Sequence, residues 1–433
     1  MEKKVLLRDL LLKHPADVAE VLSHLSDEAA TELIHRLFLR NAAAEPLGEM
    51  EPEDSAELLS EIDRDEAIKI LSRMDPDDAV DVLDELPENV QEELLSRLGK
   101  EDAEVLSGLL TYPPDTAGGL MSPEVIALPL DMTAQEAIDY LRKRVEEAET
   151  IYYAYAVDEE GHLQGVFSLR DMALAQPGTP LFKLLKRDAI SVPVDADEED
   201  VARLFDKYNY YALPVVDEEQ KLKGVITIDD VIDVMREEAT EDIYGMANVS
   251  MEERVDTPWY ESLKLRMPWL SFNLFTAFVA ASVVGAFEST IAKLAVLAFF
   301  MPIIAGQGGN AGMQTVTIVT RGMALGEVPK GEGWRILRKE FLIGLLDGLA
   351  MGIVVGVVGF LWKRTISLGL VVFLAMTLNM ITAGVVGTVI PVGLRAIRQD
   401  PALASSIFLT TFTDTLGFAF LFLLARLFIP GLR

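Results

Sequence analysis

The sequence contains no cysteine and only four histidines in 433 residues. The first absence excludes disulfide scaffolds, thiolate metal sites and cysteine nucleophiles, and the second leaves little for a histidine-based metal or catalytic centre. Bases are scarce too: 38 Lys and Arg stand against 69 Asp and Glu, a net charge of −31. The deficit is uneven. Residues 1–250 hold 58 acids and 23 bases, a net of −35, whereas residues 251–433 hold 11 acids and 15 bases, a net of +4. So acidic a first half excludes a phosphate-neutralising nucleic-acid binder and leaves hard-cation binding by carboxylate oxygens open. Catalytic signatures are missing as well. With no phosphate-cradling loop ending in Lys-Ser/Thr, no Ser-His-Asp grouping and no metal-type histidine pair, an enzyme is not expected.

Half the residues are nevertheless hydrophobic, and the second half accounts for it. Trp269–Phe287 is nineteen residues without a charge, enough to cross a ~30 Å hydrocarbon core at ~1.5 Å per residue. Ile291–Thr320, Phe341–Trp362, Ile366–Leu394 and Ala402–Ile429 follow, predicting five spans with the chain ends on opposite sides. Arg254, Lys264, Arg266, Arg321, Lys330, Arg335, Arg338, Lys339, Arg395 and Arg398 fall on one side. Lys293, Lys363, Arg364, Arg426 and Arg433 fall on the other, so the acidic half is expected in the cytoplasm. Met1–Lys13 lacks a long apolar core, so no signal peptide is expected.

Residues 51–98 divide into four blocks of twelve, with Leu at 59, 71, 83 and 95 and apolar residues at 58, 70, 82, 94 and at 62, 74, 86, 98. That i, i+1, i+4 spacing marks one buried helical face, and Asp or Pro near each block start suits a helix N-terminus. Residues 14–25 and 26–37 repeat the pattern. Further on, residues 156–171 match 215–230 at an offset of 59. Each copy reads as strand, Asp-Glu-Glu turn, strand, helix. This pair resembles tandem cystathionine-β-synthase (CBS) domains, which commonly sense adenosine nucleotides or ions. By that resemblance Ser168 with Asp171, and Thr227 with Asp230, are candidates for holding ribose and phosphate. The alternative is that Ser168 and Thr227 simply cap the helix that follows.

Within the spans, Asp347 and Asp414 stand out, because a carboxylate at mid-span costs ~2.5–3.5 kcal/mol on insertion scales and needs water or a partner. Asp414 lies about half-way along the last span among Thr410, Thr411, Thr413 and Thr415, hydroxyls able to bond it. In the second span, residues 305–315 combine Gly306, Gly308, Gly309 and Gly312 with Asn310 and Gln314. Such a run is expected either to unwind or to let helices approach closely.

Acidic helical repeats, CBS-like modules, a linker helix and five spans together resemble the MgtE-type magnesium transporters over nearly the full length. The residues that carry this are 308–314 (GGNAGMQ), 400–405 (DPALAS), Asp414 in TDTLGF and 238–242 (EATED). The resemblance implies a multidomain membrane protein: an α-helical repeat domain over 1–116, α+β CBS domains over 117–180 and 181–238, a linker or plug helix over 239–267, and a polytopic α-helical pore domain over 268–433. It implies a homodimer whose pore is lined by Gly308, Gly309, Asn310, Gln314, Thr411 and Asp414, with Asp414 holding hydrated Mg²⁺. It also implies closure by regulatory Mg²⁺ at Glu20, Glu53 and Asp54, at Asp197 and Glu199, at Asp230 and Asp233, at Glu238, Glu241 and Asp242, and at Asp400. ATP at the CBS pair, and Mn²⁺, Co²⁺ or Ni²⁺ as alternative cargo, are further candidates. The chain departs from the family pattern at Asn209 and in the 38–50 block. Two rival readings are a membrane-anchored nucleotide sensor, which would need no intramembrane acids, and an ion-coupled carrier using Asp347 and Asp414 as a proton relay.

Overall fold

The twelve-residue blocks become short helices in the computed structural model, which describes residues 10–144, 150–255, 257–328, 331–397, 399–403 and 405–432. Lys330, Arg398 and Arg433, used above for orientation, lie outside the described residues. Helices α1 (Pro15–Ser23), α2 (Asp27–Phe38), α3 (Ala44–Gly48), α4 (Pro52–Glu61), α5 (Arg64–Leu71), α6 (Pro76–Asp84), α7 (Glu88–Arg97) and α8 (Lys100–Leu109) follow one another. Pro15, Pro52 and Pro76 occupy first-turn positions where a missing N–H costs nothing. Asp63 caps α5 by accepting from the Asp65 backbone N–H at 2.9 Å. The repeat leucines are the core: Leu59 and Leu83 are wholly buried, whereas Leu95 is only half-buried and Leu94 takes its place.

The two CBS copies superimpose in register. In the first, β1 (Ala127–Leu128) runs parallel to β2 (Tyr153–Val157), which pairs antiparallel with β3 (Leu163–Ser168). In the second, β4 (Val192–Pro193), β5 (Ala212–Val216) and β6 (Leu222–Thr227) repeat that order. Ala154 faces Phe167 as Leu213 faces Ile226, and both hairpins break register at the same place. Their helices are α9 (Ala134–Leu141) and α10 (Leu169–Leu174), then α11 (Glu198–Tyr208) and α12 (Ile228–Ala247). The two hairpin turns exchange hydrogen bonds, Leu163 N–H to Gln220 O at 3.0 Å and Leu222 N–H to Gly161 O at 3.1 Å. The second copy also shares one apolar core with the helical repeats, through Val201, Phe205, Val215 and Val231.

The chain divides into compact units, Met1–Met235 and Arg236–Arg433, and the division falls inside α12. The second unit contains α13 (Trp259–Ala286), α14 (Glu288–Lys293), α15 (Leu297–Ala324), α16 (Gly333–Lys363), α17 (Ile366–Ala396) and α18 (Ser405–Phe428). Among the described residues, α13, α16, α17 and α18 are long and apolar enough to cross a membrane. Helix α15 is as long as α13 but carries Gln307, Asn310 and Gln314. It does not unwind at residues 305–315; the helix is continuous there, and the break falls earlier, between α14 and Leu297. An unbroken helix keeps its backbone bonds satisfied at depth, so the glycines serve the close-approach alternative instead. A Cβ at Gly308 would clash with the Asn379 amide, and one at Gly312 with Leu409. Helices α16 and α17 meet along Gly344, Gly348, Gly352 and Gly356, where added Cβ atoms would lie 2.6–2.9 Å from atoms of α17.

The burial difference within the repeats sets a testable contrast. Leu59→Ala, at a site with no exposure, should cost about 3 kcal/mol, and Leu95→Ala at its half-buried equivalent about 1 kcal/mol. Urea unfolding followed by helical circular dichroism measures both; equal losses would contradict this packing.

Candidate ion site

Helix α15 presents Gln307, Asn310, Gln314 and Thr317 at i, i+3, i+7 and i+10, all exposed on the single chain. This polar stripe belongs to a helix whose other face is clamped by α17 and α18. Gly308 and Gly312 are buried, and Gly309, half-buried, faces Thr410 of α18 with its Cβ position 4.0 Å from the Thr410 methyl. One turn beyond Thr410 stands Asp414, half-buried. Asp414 has no hydrogen-bond or ion-pair partner among the described residues. Among the described residues none of the surrounding threonines bonds it, and the buried Thr415 hydroxyl has no partner. Thr410 donates to Ser406 O at 3.0 Å, Thr411 to Ile407 O at 2.6 Å and Thr413 to Leu409 O at 3.1 Å. In apolar surroundings a hydroxyl proton bonds back to its own helix before it bonds an ion or water. Their oxygens keep a free lone pair, and the carboxylate remains uncommitted.

The other intramembrane acid lies elsewhere. Asp347 is exposed on α16, off the line of glycines that meets α17. The buried acid of α16 is Glu340, which the sequence reading placed just outside its span. Glu340 accepts from the Thr315 hydroxyl at 3.2 Å and pairs with Lys339 at 3.1 Å. The only sequence signal for it was a charge abutting an apolar run.

The Thr317 end of the stripe is met by the end of α12. Glu238, Glu241 and Asp242 share a helical face with Gly245. At Gly245 a Cβ would lie 3.1 Å from the Ala402 Cβ and 3.4 Å from Asp400 Oδ2. Thr317 donates to Met246 Sδ at 3.7 Å, and Asn248 Nδ2 to Ser406 Oγ at 2.5 Å. The linker therefore touches both α15 and α18. Asp400 Oδ1 caps its own turn by accepting from Ala402 N–H at 2.8 Å, leaving Oδ2 toward the linker. Glu253 and Arg266 then fasten the loop to α13, with Nε to Oε1 at 2.6 Å, which holds the Glu253 carboxyl below the usual range.

In the first unit the candidate acids scatter. Glu20 and Glu53 are exposed and Asp54 half-buried. Glu53 lies near Glu85, whose carboxyl burial pushes up, with Glu53 and Asp84 adding like charge. Asp75, not singled out from sequence, is raised by burial and by Glu45 and Asp229, which brings an acid of the helical repeats near one of the second CBS copy. Asp197 caps α11 by accepting from Glu199 N–H at 3.1 Å, and Glu199 pairs with Arg203 at 2.7 Å. Asn209, the departure from the family pattern, ends α11 in the left-handed conformation that asparagine tolerates.

The Ser/Thr–Asp steps are unequal. Thr227 donates its hydroxyl to Asp230 at 2.7 Å, whereas Ser168 makes no cap bond and Asp171 pairs with Lys186 at 2.8 Å. Asp233, one turn after Asp230, is exposed. Burial outweighs the Thr227 bonds and pushes Asp230 up to about 6.

These features define a class: a polytopic helical membrane protein with an uncommitted intramembrane carboxylate and a nucleotide-sensor-like acidic domain set. Comparison with known proteins places it more closely. Residues 13–115 match the MgtE intracellular N domain, 117–178 and 182–237 the CBS domain, and 301–424 the MgtE divalent cation transporter family. The magnesium transporter MgtE of Enterococcus faecalis is 36% identical over 328 residues, covering 76% of this chain and 72% of that protein. That of Thermus thermophilus is 37% identical over 347 residues, covering 78% and 75%. The crystal structure of the cytosolic domain of the Mg²⁺ channel MgtE in complex with ATP is 36% identical, with a TM-score of 0.51, over 54% of this chain and 95% of that one. The chain belongs to the MgtE family of magnesium transporters and is not an enzyme.

Asp230 sets a pH dependence. Its folded pKa, about 6, lies above the ordinary 3.8, so the folded state holds the proton more tightly than the unfolded state. The stabilisation is complete below pH 3.8 and is lost as pH rises through about 6. In metal-free buffer the thermal midpoint of the first unit should fall between those values, and Asp230→Asn should flatten that fall. An unchanged slope in the variant would remove Asp230 as its source.

Proposed function

We propose that this chain forms a homodimeric, Mg²⁺-selective channel that admits divalent cations and closes when cytosolic Mg²⁺ is high. The observation that carries this is the uncommitted Asp414 carboxylate beside the stripe Gln307–Asn310–Gln314. Such a stripe is not stable against lipid, so it lines water, and a second copy is the natural cover for the open side. Mg²⁺ dehydrates reluctantly, and a carboxylate with amide and hydroxyl neighbours suits a hydrated ion better than a full protein cage. Gly308, Gly309 and Thr411 form the supporting wall. The exposure of Asp347 on α16, a different helix from that of Asp414, gives a two-acid proton relay no support.

Regulatory Mg²⁺ fits two groups of carboxylates. One is Glu238, Glu241 and Asp242 with Asp400 at the linker. The other comprises Glu53, Asp54, Asp197, Glu199, Asp230, Asp233 and, more remotely, Glu20, with Asp75 and Glu85, whose carboxyls are raised, as further members. Raised carboxyls crowded by like charge are where a divalent ion relieves the most repulsion. An adenosine nucleotide, ATP first, suits the CBS pair at Ser168, Asp171, Thr227 and Asp230; the cytosolic domain of a related Mg²⁺ channel was solved in complex with ATP. Mn²⁺, Co²⁺ and Ni²⁺ are secondary cargo. The acidic domains face the cytoplasm and the C-terminus the opposite side, by the charge bias of the loops and five spans.

Asp414→Asn should abolish Mg²⁺ flux into liposomes while leaving the stability within about 1 kcal/mol of wild type; wild-type flux would end the pore assignment. Replacing Glu238, Glu241 and Asp242 by Ala should keep the channel open at Mg²⁺ levels that close the wild type, because a ligand biases a gate only by its differential affinity for the two states. Patch recordings across a cytosolic Mg²⁺ series read this, and an identical closing range would rule the linker out.

A further inference from the structure

Asn379, on α17, is fully buried in the membrane unit, in a stretch that otherwise reads as apolar. Its Nδ2 donates to Ile304 O on α15 at 2.8 Å. Two glycines make room for it. On α15, Gly308 lies so close that a Cβ would clash with the amide; on α18, a Cβ at Gly417 would lie 3.0 Å from Asn379 Cγ and Nδ2 and 3.1 Å from Oδ1. The same Gly308 position sits 3.3 Å from the Thr413 Cβ. One amide thus holds α15, α17 and α18 together beside the residues that flank Asp414.

Stability alone does not explain this arrangement. The Oδ1 oxygen is buried without a hydrogen-bond partner among the described residues. A leucine, branched at the same carbon, would leave no acceptor orphaned, and buried polar groups of this kind are retained where they fix register. The register fixed here is that of α15 against α18. The amide sets how far Gly308 stands from Thr413, and hence how far the stripe Gln307–Asn310–Gln314 stands from Thr410 and Asp414.

We infer that Asn379 is a positioning residue for ion selectivity: it pegs α15 to α18 and so sets the aperture that a hydrated divalent ion must fit. This rests on the pore reading of α15 and α18. Selection through the water shell depends on distance, because a gap matched to hydrated Mg²⁺ rejects Ca²⁺, whose shell is larger in coordination and looser in geometry. The inference concerns the ratio between ions rather than the total flux.

The test is the Ca²⁺-to-Mg²⁺ permeability ratio of the full-length protein in liposomes, measured for wild type, Asn379→Leu and Gly417→Ala, with Asp414→Asn alongside. Asn379→Leu removes the hydrogen bond while keeping the branched outline of the side chain, with bulkier methyl ends. Gly417→Ala keeps the amide but pushes it from its seat, so it reads the same distance even if the first variant fails to fold. A several-fold rise in relative Ca²⁺ permeability in the folded variants is expected. A merely structural role would lower the amount of active protein and reduce both fluxes together. An unchanged ratio, at whatever total flux, overturns the inference, and if Asp414→Asn is then inactive the pore reading stands without it. If Asp414→Asn conducts like wild type, the pore reading itself fails.

Discussion

Polar groups in the membrane unit depend on how closely its helices approach. Water is absent from a bilayer core, so an amide or carboxylate at depth is tolerated only where protein or a wet path meets it. Gly344, Gly348, Gly352 and Gly356 let α16 lie directly on α17, bringing the Thr377 hydroxyl to Gly348 O at 3.0 Å. Gly308 and Gly312 do the same between α15 and its neighbours. With those faces committed to packing, the remaining face of α15 is left to Gln307, Asn310 and Gln314. The polar stripe is the complement of the glycine seam.

That division of labour continues along the helices. The apolar core of the unit lies around Leu297, Phe300, Ile304, Val372, Met376 and Phe422, toward the start of α15 and the end of α18. The opposite end carries Thr317, Ser406 and Asp400, met by Met246, Asn248 and Gly245 of the linker. One end is therefore built for rigidity, the other for contact with an element that carries three acids. A charge change on α12 acts where α15 and α18 are held by polar and van der Waals contacts, not by the deep core.

Much of this was legible from residue patterns, for physical reasons. The repeat leucines and the 59-residue offset survive because burial and strand pairing impose fixed periods, and Asp414 is conspicuous because charge at depth is expensive. Asn379 escaped notice because a single amide barely changes the hydropathy of its run, and its partners, Gly308 and Gly417, are distant in sequence. Glu340 was hidden by its neighbour Lys339, which made the pair look like a loop. Residues 305–315 read as a break because glycine density reports both unwinding and close packing, and only the neighbours of each glycine distinguish them. Asp75 and Glu85 were lost among many acids, since what sets them apart is burial.

The acidity of the first unit makes sense in the same terms. A net charge of −32 over residues 1–235, 54 acids against 22 bases, opposes compaction, yet the helical repeats and the second CBS copy share one apolar core. Hydrophobic burial holds the unit together at a cost: desolvation first, and like charge after it, displaces the Asp75, Glu85 and Asp230 carboxyls above their ordinary values. A proton relieves that cost one charge at a time. A divalent ion bridging two carboxylates relieves it in pairs, with oxygen ligands that suit hard cations and no thiolate or histidine cluster to favour softer ones. The lack of cysteine and near-lack of histidine thus matter as much as the excess of acid: the carboxylates that burial and repulsion displace are oxygen donors, and softer ligands hardly compete with them.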